Sequence, residues 1–280
     1  MSYLNLKYID LSSITIVGSL IFFIWGGIIV GLLLFIYFAI NGNFDTLSLL
    51  IPFTIAFISL VGGGIVYYFI GTFIYNIFSK KIFNASFEIS NGNIKRISIL
   101  PISIIITLIN IIFVILFYPG LKLVLEVILI DLYSFISFTP PMISLIGQTI
   151  DIITNPIIIL IFIVLTFILT VLGEFIYDLV SKKTGGVEIK LENNNNGLNK
   201  INYFKPSSVG LNLAISLIIP YTIINLIISF LFFPVSYINF IWVIIGGGFI
   251  GIFIIMSIST IFYNLIANKL NPILVELESN

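Results

Sequence analysis

The residues of this sequence that could do chemistry are polar side chains within three long apolar runs. They recur at intervals of four residues, which places them on one face of a helix. The three polar stripes are Thr72, Asn76 and Lys80; Glu174, Asp178 and Lys182; and Thr260, Asn264 and Asn268. At about 1.5 Å per residue, each stripe extends about 12 Å along its helix. Carboxylates among neutral oxygens in such a position would suit a cation.

These polar residues have two interpretations. In the first, all three stripes face a common axis and form a polar ring with carboxylates on one side, because ionisable groups inside a membrane usually face the helix bundle or a water-filled cavity. In the second, the Asn or Asp of each stripe hydrogen-bonds to strand backbone and the preceding Tyr joins an aromatic belt at the membrane interface. The candidate residues are Thr72, Tyr75, Asn76, Glu174, Tyr177, Asp178, Thr260, Tyr263 and Asn264.

The composition excludes the soluble classes of protein. Of the 280 residues, 59% are hydrophobic and 9% are charged, whereas about a quarter are charged in an average soluble domain. The twelve basic residues balance the twelve acidic ones, so no net field attracts nucleic acid. The sequence has no Cys and no His, which removes thiol nucleophiles, thiolate metal sites, and the commonest general base and metal ligand. We therefore expect an integral protein of the lipid bilayer that is not an enzyme, with no cofactor, no metal and no nucleic-acid partner.

Six apolar runs are long enough to cross a membrane, which takes about 20 residues in a helix. They are Ile14–Ile40, Ile55–Phe78, Ile102–Tyr118, Ile157–Val180, Val209–Phe233 and Phe240–Ala267. Pro119-Gly120 ends the third, which is the shortest.

The basic residues predict the orientation of these spans. With six spans, Lys122 alone lies on one side of the membrane. The others share the opposite side: Lys7, Lys80, Lys81, Lys95, Arg96, Lys182, Lys183, Lys190, Lys200, Lys205 and Lys269. Since basic residues concentrate on the cytoplasmic side, we expect a multi-pass protein of the cell membrane with both termini in the cytoplasm.

Self-comparison indicates one unit repeated three times. The second, fourth and sixth spans end in similar sequences, and a short segment of alternating apolar and polar residues follows each. The three endings begin at Gly71-Thr72-Phe73-Ile74-Tyr75-Asn76, at Gly173-Glu174-Phe175-Ile176-Tyr177-Asp178 and at Ser259-Thr260-Ile261-Phe262-Tyr263-Asn264. We expect each repeat to be strand, span, span, strand. The repeats cover 1–90, 91–192 and 193–280, and the second carries an outer-side insertion at 119–154 of interfacial helices.

Alternation of apolar and polar residues predicts six short strands on the cytoplasmic side. Pairing the N-terminal strand, Leu4–Ile9, with the C-terminal strand, Ile273–Leu277, would remove both exposed edges, which otherwise invite aggregation. The predicted fold is an all-α polytopic membrane protein. Its six transmembrane helices form three parallel two-helix repeats about a pseudo-threefold axis, beneath which lies a small six-stranded sheet or barrel.

Asn91-Gly92 predicts a hairpin between the first and second repeats. A two-residue loop would pair Ser90 with Asn93, whereas a three-residue loop places Phe87 beside Ile97. The three-residue loop also places Ala85 beside Ile99 and Glu88 opposite Arg96. Because a one-residue slip exchanges the two faces of a strand, we favour the register that keeps apolar residues together. A second hairpin joins Val187–Leu191 to Ile201–Phe204.

Two glycine triplets, Gly62-Gly63-Gly64 and Gly246-Gly247-Gly248, lie within the second and sixth spans. Small residues let helix backbones approach closely, so packing is one role for them. A hinge that exposes carbonyl groups to an ion is the other.

The segment from Tyr177 to Leu191, with Gly185-Gly186 and the Glu188-containing strand, resembles the ending of an uncharacterised family of small two-span prokaryotic membrane proteins. In that family a helix ends in Tyr-Asn and is followed by Gly-Gly and an alternating strand. This chain resembles three such units fused, although the first has Asn84-Ala85 and the third Asn271-Pro272 in place of Gly-Gly. The resemblance implies membrane location and assembly in threes, and it implies no activity.

Two functions follow from these expectations. The first is a small-cation or solute pathway along the pseudo-threefold axis, with Glu174 and Asp178 attracting cations and the other stripe residues as neutral lining. The second is a non-catalytic membrane scaffold whose cytoplasmic sheet binds an unidentified protein partner.

Overall fold

The computed structural model describes residues 2–41, 46–81, 85–116, 147, 155–193, 197–232, 241–270 and 272–279. The insertion predicted at 119–154 therefore lies outside the described residues, apart from Gly147.

Six helices in these ranges are long and apolar enough to cross a membrane. They are α1 (Leu11–Asn41), α2 (Thr46–Lys81), α3 (Ile99–Leu116), α4 (Pro156–Thr184), α5 (Pro206–Phe232) and α6 (Ile241–Lys269). Each corresponds to one predicted span, although α2 begins at Thr46 rather than at Ile55. Apolar runs of this length are helical because a backbone in lipid must satisfy its N–H and C=O groups within its own segment. The chain thus has the helices of a multi-pass membrane protein.

The chain forms two compact units. The barrel unit comprises Met1–Val17, Thr72–Ile106 and Phe167–Asn280, and it draws on all three predicted repeats. The second unit comprises Gly18–Gly71 and Thr107–Thr166. All of the strands and candidate residues lie in the barrel unit.

Six described strands form a closed antiparallel barrel in the order β1-β2-β3-β4-β5-β6. They are β1 (Ser2–Ile9), β2 (Ala85–Ser90), β3 (Asn93–Ile97), β4 (Val187–Asn193), β5 (Asn199–Phe204) and β6 (Ile273–Ser279). The first and last strands pair with each other, and Leu6 lies opposite Leu277. The predicted six-stranded sheet and its closure through the terminal strands are therefore confirmed.

One face of the barrel strands is apolar. Buried Val187 and Ile189 form a cluster with Tyr177 of α4, and further apolar side chains of β2, β3, β4 and β5 pack against it. Side chains alternate between the two faces of a strand, and Lys190 and Glu192 of β4 are exposed, so the buried apolar face of β4 is the inner face of the barrel. The interior of an eight-stranded barrel is only just wide enough for side chains to fill it. A six-stranded barrel is narrower, so its interior is a packed core.

The first hairpin differs from its prediction. Asn91 and Gly92 have φ angles of 53° and 73°, which is the geometry of a two-residue hairpin turn, and Ser90 pairs with Asn93. The predicted three-residue loop is wrong. A bulge nevertheless shifts the register further along, so that the expected Phe87–Ile97 and Glu88–Arg96 pairs do form.

The predicted pairing of Ala85 with Ile99 is also wrong, because Ile99 already belongs to α3. On the other edge of β2, Ala85 pairs with Leu6 of β1. The second predicted hairpin forms as expected, with Ile189 opposite Phe204 and Leu191 opposite Ile201.

Only the third residue of each glycine triplet makes a close packing contact. A Cβ atom built on Gly64 would overlap the Phe22 side chain, and one on Gly248 would overlap the Tyr221 ring. The packing role is confirmed for these two glycines. At the other four positions, such a Cβ has no described atom within 4 Å apart from its chain neighbours and the backbone of its own helix.

Asp10 caps the N-terminus of α1. Its Oδ2 accepts hydrogen bonds of 2.7 Å from the Ser12 hydroxyl and from the Ser13 backbone N–H, as a helix N-cap does. Partial burial acts to raise the pKa of Asp10, but hydrogen bonds from Ser12 and Ser13 outweigh it, so the pKa lies below its ordinary value.

We predict that the stabilisation contributed by this cap is lost in acid. Because the pKa of Asp10 is lower in the folded state, its ionised form stabilises the fold above the unfolded-state pKa of about 3.9, and this contribution is lost as the pH falls through the folded-state pKa. Asp10→Asn keeps a capping oxygen but does not titrate. Thermal unfolding in detergent between about pH 3 and 7 should show the wild type losing stability relative to Asp10→Asn. Parallel curves would contradict this.

Closure of the barrel can be tested by cross-linking, since the sequence has no Cys. Asn5 of β1 lies opposite Glu278 of β6, and directly paired residues have Cα atoms about 4.5–5.5 Å apart, within disulfide range. Mild oxidation should therefore cross-link Asn5→Cys/Glu278→Cys, detected as a mobility shift on a gel. The control pair is Asn5→Cys/Lys200→Cys, because β5 does not pair with β1. Equal cross-linking of both pairs would rule out the closure.

Candidate functional site

Near the C-terminal ends of α2, α4 and α6, a buried tyrosine hydroxyl donates a hydrogen bond to a strand carbonyl. The pairs are Tyr75 with Leu6 (2.7 Å), Tyr177 with Ile94 (2.7 Å) and Tyr263 with Ile201. The three tyrosines are 3–8% exposed. They pack against strands. They therefore do not form the aromatic belt that the second interpretation placed at the membrane interface.

The next residue of each helix binds the backbone at the end of the same strand. Asn76 accepts from the N–H of Ile9 (2.9 Å) and donates to its carbonyl (2.7 Å), and Asn264 does the same with Phe204 (3.0 and 2.7 Å). Asp178 accepts from the N–H of Ile97 (3.0 Å), but an ionised carboxylate cannot donate to the carbonyl. The interpretation in which these side chains hydrogen-bond strand backbone is confirmed.

A serine one turn further adds a third contact in two of the helices. The hydroxyl of Ser79 donates to the carbonyl of Lys7 (2.8 Å), and that of Ser181 to the carbonyl of Lys95. Ala267 occupies the matching position of α6 and has no hydroxyl. These serines are not among the predicted site residues, although both follow the Tyr-Asn or Tyr-Asp pair at the same spacing.

The Gly-Gly segment after α4 lets β4 begin at once beside β3. Gly185 and Gly186 have φ angles of 90° and 80°, which side chains other than glycine rarely adopt. A Cβ atom on Gly186 would also overlap the carbonyl oxygen of Ile94. The adjacent Val187 pairs with Ile94.

The first residue of each polar stripe faces inwards, and the apolar residue next to it faces outwards. Thr72, Glu174 and Thr260 are 5–9% exposed. The residues that follow them, Phe73, Phe175 and Ile261, are 52%, 52% and 45% exposed. This polarity is the reverse of that of a surface helix in water, and it fits helices surrounded by lipid.

Glu174 is the one stripe carboxylate inside the helix bundle that contacts another helix. Its Oε2 accepts a hydrogen bond of 2.8 Å from the hydroxyl of Ser103 in α3, which is fully buried. Its Oε1 is buried with no hydrogen-bond partner among the described residues. Ser103 is not among the predicted site residues, because nothing in the sequence indicates that the first turns of α3 meet this part of α4.

The structure does not bring the stripes together through hydrogen bonds. In the described part of the chain, the bonds of each Tyr and Asn or Asp go to strand backbone, and Thr260 donates to Met256 of its own helix (2.6 Å). The polar ring about a common axis therefore stays a prediction.

The charged residues on the outer face of the barrel bind one another. Lys205 lies 2.8 Å from Glu188, and its hydrogen bond to Glu188 raises the pKa of Lys205. Buried Glu88 lies 3.6 Å from Arg96 and accepts a hydrogen bond of 3.1 Å from the Tyr3 hydroxyl. The Tyr3 hydroxyl is also the main cause of the raised pKa of Arg96, ahead of the charge of Glu88.

On β4, the remaining charged side chains also lie against β5. The ammonium group of Lys190 lies 5.2 Å from the centre of the Tyr203 ring, and Glu192 accepts a hydrogen bond of 2.6 Å from Asn202. No group of three or more acidic, His or Cys residues that could hold a metal ion occurs among the described residues.

Comparisons with known protein families, with curated proteins and with solved structures found no match. The class of protein follows from the chain itself, whose described helices are those of a multi-pass membrane protein. What the protein does must be argued from its contacts.

We predict that the helix-to-strand contacts dominate the stability of the barrel unit. Asn264→Ala leaves the N–H and carbonyl of Phe204 unpaired, so the free energy of unfolding should fall by about 1–3 kcal/mol. Asn268→Ala, at an exposed position of the same helix, should change it by less than about 0.5 kcal/mol. Asp178→Asn should be tolerated, because an amide can also donate to the carbonyl of Ile97. Chemical unfolding in detergent measures all three, and equal effects of the two alanine variants would refute the prediction.

Proposed function

We propose that this protein is a non-catalytic membrane scaffold. Three two-helix repeats of 1–90, 91–192 and 193–280 are joined at one end by the six-stranded barrel. The observation that carries the proposal is the use of the polar helix ends. Their tyrosine and asparagine side chains are bonded to strand backbone and the barrel interior is filled with apolar side chains, so both serve to hold the assembly together.

The threefold repetition is supported by the contacts as well as by the sequence. The residues that align in the sequence, Tyr75, Tyr177 and Tyr263, each donate to the strand that precedes the same repeat's first helix. Independent evolution of three such contacts at matching positions is a poor explanation. We infer duplication of one strand–helix–helix–strand unit, with the repeats arranged about a pseudo-threefold axis.

We place the barrel and both termini in the cytoplasm, with the helices in the cell membrane. Eleven of the twelve basic residues fall on the barrel side of the predicted topology, and such residues concentrate on the cytoplasmic side of membranes.

The partner of the scaffold would be a protein that recognises side chains of the barrel. A closed barrel has no free strand edge, so a partner cannot bind by adding a strand to it. The outer face of β4 carries Glu188, Lys190 and Glu192, of which Lys190 and Glu192 are exposed. We propose this face as the docking surface.

A small-cation or solute pathway is the second candidate, and buried Glu174 with its unpartnered oxygen favours it. In this proposal Glu174 and Asp178 attract the cation, and Thr72, Asn76, Thr260 and Asn264 form the neutral lining. It ranks second because a barrel packed with side chains, if it lies across such an axis, would close the lower end. The two asparagines, moreover, are already bonded to strands.

The two candidates predict different behaviour of the purified protein and of its native membranes. A scaffold gives no ion flux above that of protein-free vesicles. From native membranes it should recover a specific partner, which the charge exchange Lys190→Glu/Glu192→Lys should release. The exchange Lys7→Glu/Glu278→Lys, which preserves the ion pair of 3.1 Å between β1 and β6, is the matched control and should keep the partner.

A pathway instead gives flux that falls in Glu174→Ala and in Asp178→Asn while both variants remain folded. Flux in reconstituted vesicles that depends on these residues would overturn the scaffold. Loss of the partner in both charge exchanges would remove β4 as its docking surface.

A further inference from the structure

We propose that Glu174 and Ser103 form a buried binding site for one alkali metal cation between α3, α4 and α5. The site goes beyond the scaffold function and does not require a continuous pathway. Two observations carry it: a carboxylate oxygen without a partner, and a backbone carbonyl beside α4 that lacks its helical donor.

The first observation is the incomplete pairing of Glu174. The side chain is 9% exposed, and only Oε2 is hydrogen-bonded, to the Ser103 hydroxyl. Oε1 is buried with no partner among the described residues. An ionised carboxylate removed from water is strongly unfavourable unless an opposite charge or further hydrogen bonds compensate it. No basic side chain of the described chain forms an ion pair with Glu174.

The second observation is a carbonyl group on the neighbouring helix. Pro220 lies inside α5 and has no N–H to donate to the carbonyl of Ser216, four residues earlier. That carbonyl oxygen is 3.7 Å from a Cβ atom built on Gly173, which is adjacent to Glu174. Gly173, Ser216 and Pro220 are all buried. Carbonyl oxygens released from helical pairing are ligands for Na⁺ in membrane transporters.

The charge of the site selects a monovalent ion. Glu174 supplies one negative charge, while the Ser103 hydroxyl and the Ser216 carbonyl are neutral oxygens. Asp178, one turn further along α4, lies outside this oxygen set: burial disfavours its charge, and it accepts a hydrogen bond from the N–H of Ile97 and lies near the charges of Arg96 and Lys182. A divalent ion would leave an uncompensated positive charge in the helix bundle, and hard oxygen ligands suit an alkali metal ion.

The test is thermal unfolding of the full chain in detergent, in NaCl, KCl or choline chloride at equal ionic strength and constant alkaline pH. A ligand that binds only the folded state raises the unfolding temperature with the logarithm of its concentration. We expect this dependence for Na⁺ or K⁺ in the wild type, and none for choline. Glu174→Gln, which removes the charge but keeps the shape, should abolish it. Ser103→Ala should weaken the apparent affinity about tenfold, a change equivalent to about 1.4 kcal/mol.

Glu188→Gln is the matched control, because Glu188 is a barrel carboxylate paired with Lys205, and it should keep the full dependence. The proposal is overturned if the wild type unfolds at the same temperature in sodium, potassium and choline. It is also overturned if Glu174→Gln retains the dependence, or if stability follows pH and not the metal ion, since the carboxyl group would then be held by a proton.

A direct measurement covers the case in which Glu174→Gln does not fold. The measurement is binding of radioactive ²²Na⁺ to the purified wild type. Saturable binding that unlabelled NaCl or KCl displaces, and choline chloride does not, would support the site. Absence of saturable binding would exclude it. Neither measurement depends on ion flux. Binding without flux would therefore support this site and contradict the pathway.

Discussion

Backbone groups at the junction of a strand and a membrane helix need hydrogen-bond partners, and this requirement organises the barrel unit. Ile9 and Phe204 lie where a strand ends and a helix is about to begin, so the regular hydrogen bonding of the barrel and of the helix both run out near them. A buried backbone group left unpaired is costly. One amide side chain from a different helix, Asn76 or Asn264, supplies both missing partners. The rest of the unit is built around these contacts.

The same contacts fix the rotation of each helix about its own axis. Once Tyr177 and Asp178 bind β3, Glu174 must point towards the interior and Phe175 towards the surroundings. The barrel is fixed in return, because its strands are tied to the helix ends and its apolar face closes on itself. Membrane helices with little amphipathic character have few other means of choosing which side faces lipid, since lipid tails are as apolar as leucine.

Much of this arrangement could be predicted from the sequence, because it depends on local periodicity. Spacing by four put Asn264 on the polar face of its helix, and alternation of side chains located the strands. The need to remove exposed edges predicted the pairing of β1 with β6. The first hairpin was predicted incorrectly because a bulge accommodates both the two-residue turn and the apolar register, and nothing local indicates a bulge. The Ser103–Glu174 contact depends on how two helices pack, which periodicity within either helix does not specify.

The pairing of the first strand with the last has a consequence for biosynthesis. Leu4 of β1 lies opposite Ser279 of β6. Because β1 leaves the ribosome before the other strands, it cannot pair with β6 until β2 to β5 and the helices between them have been made. Until then the nascent barrel has two unpaired strand edges, one on β1 and one on the strand made most recently. Translation that stops before β6 would leave an unsealed ring with exposed strand edges, which are prone to pair with other chains. Sealing of the ring thus has to await the synthesis of β6.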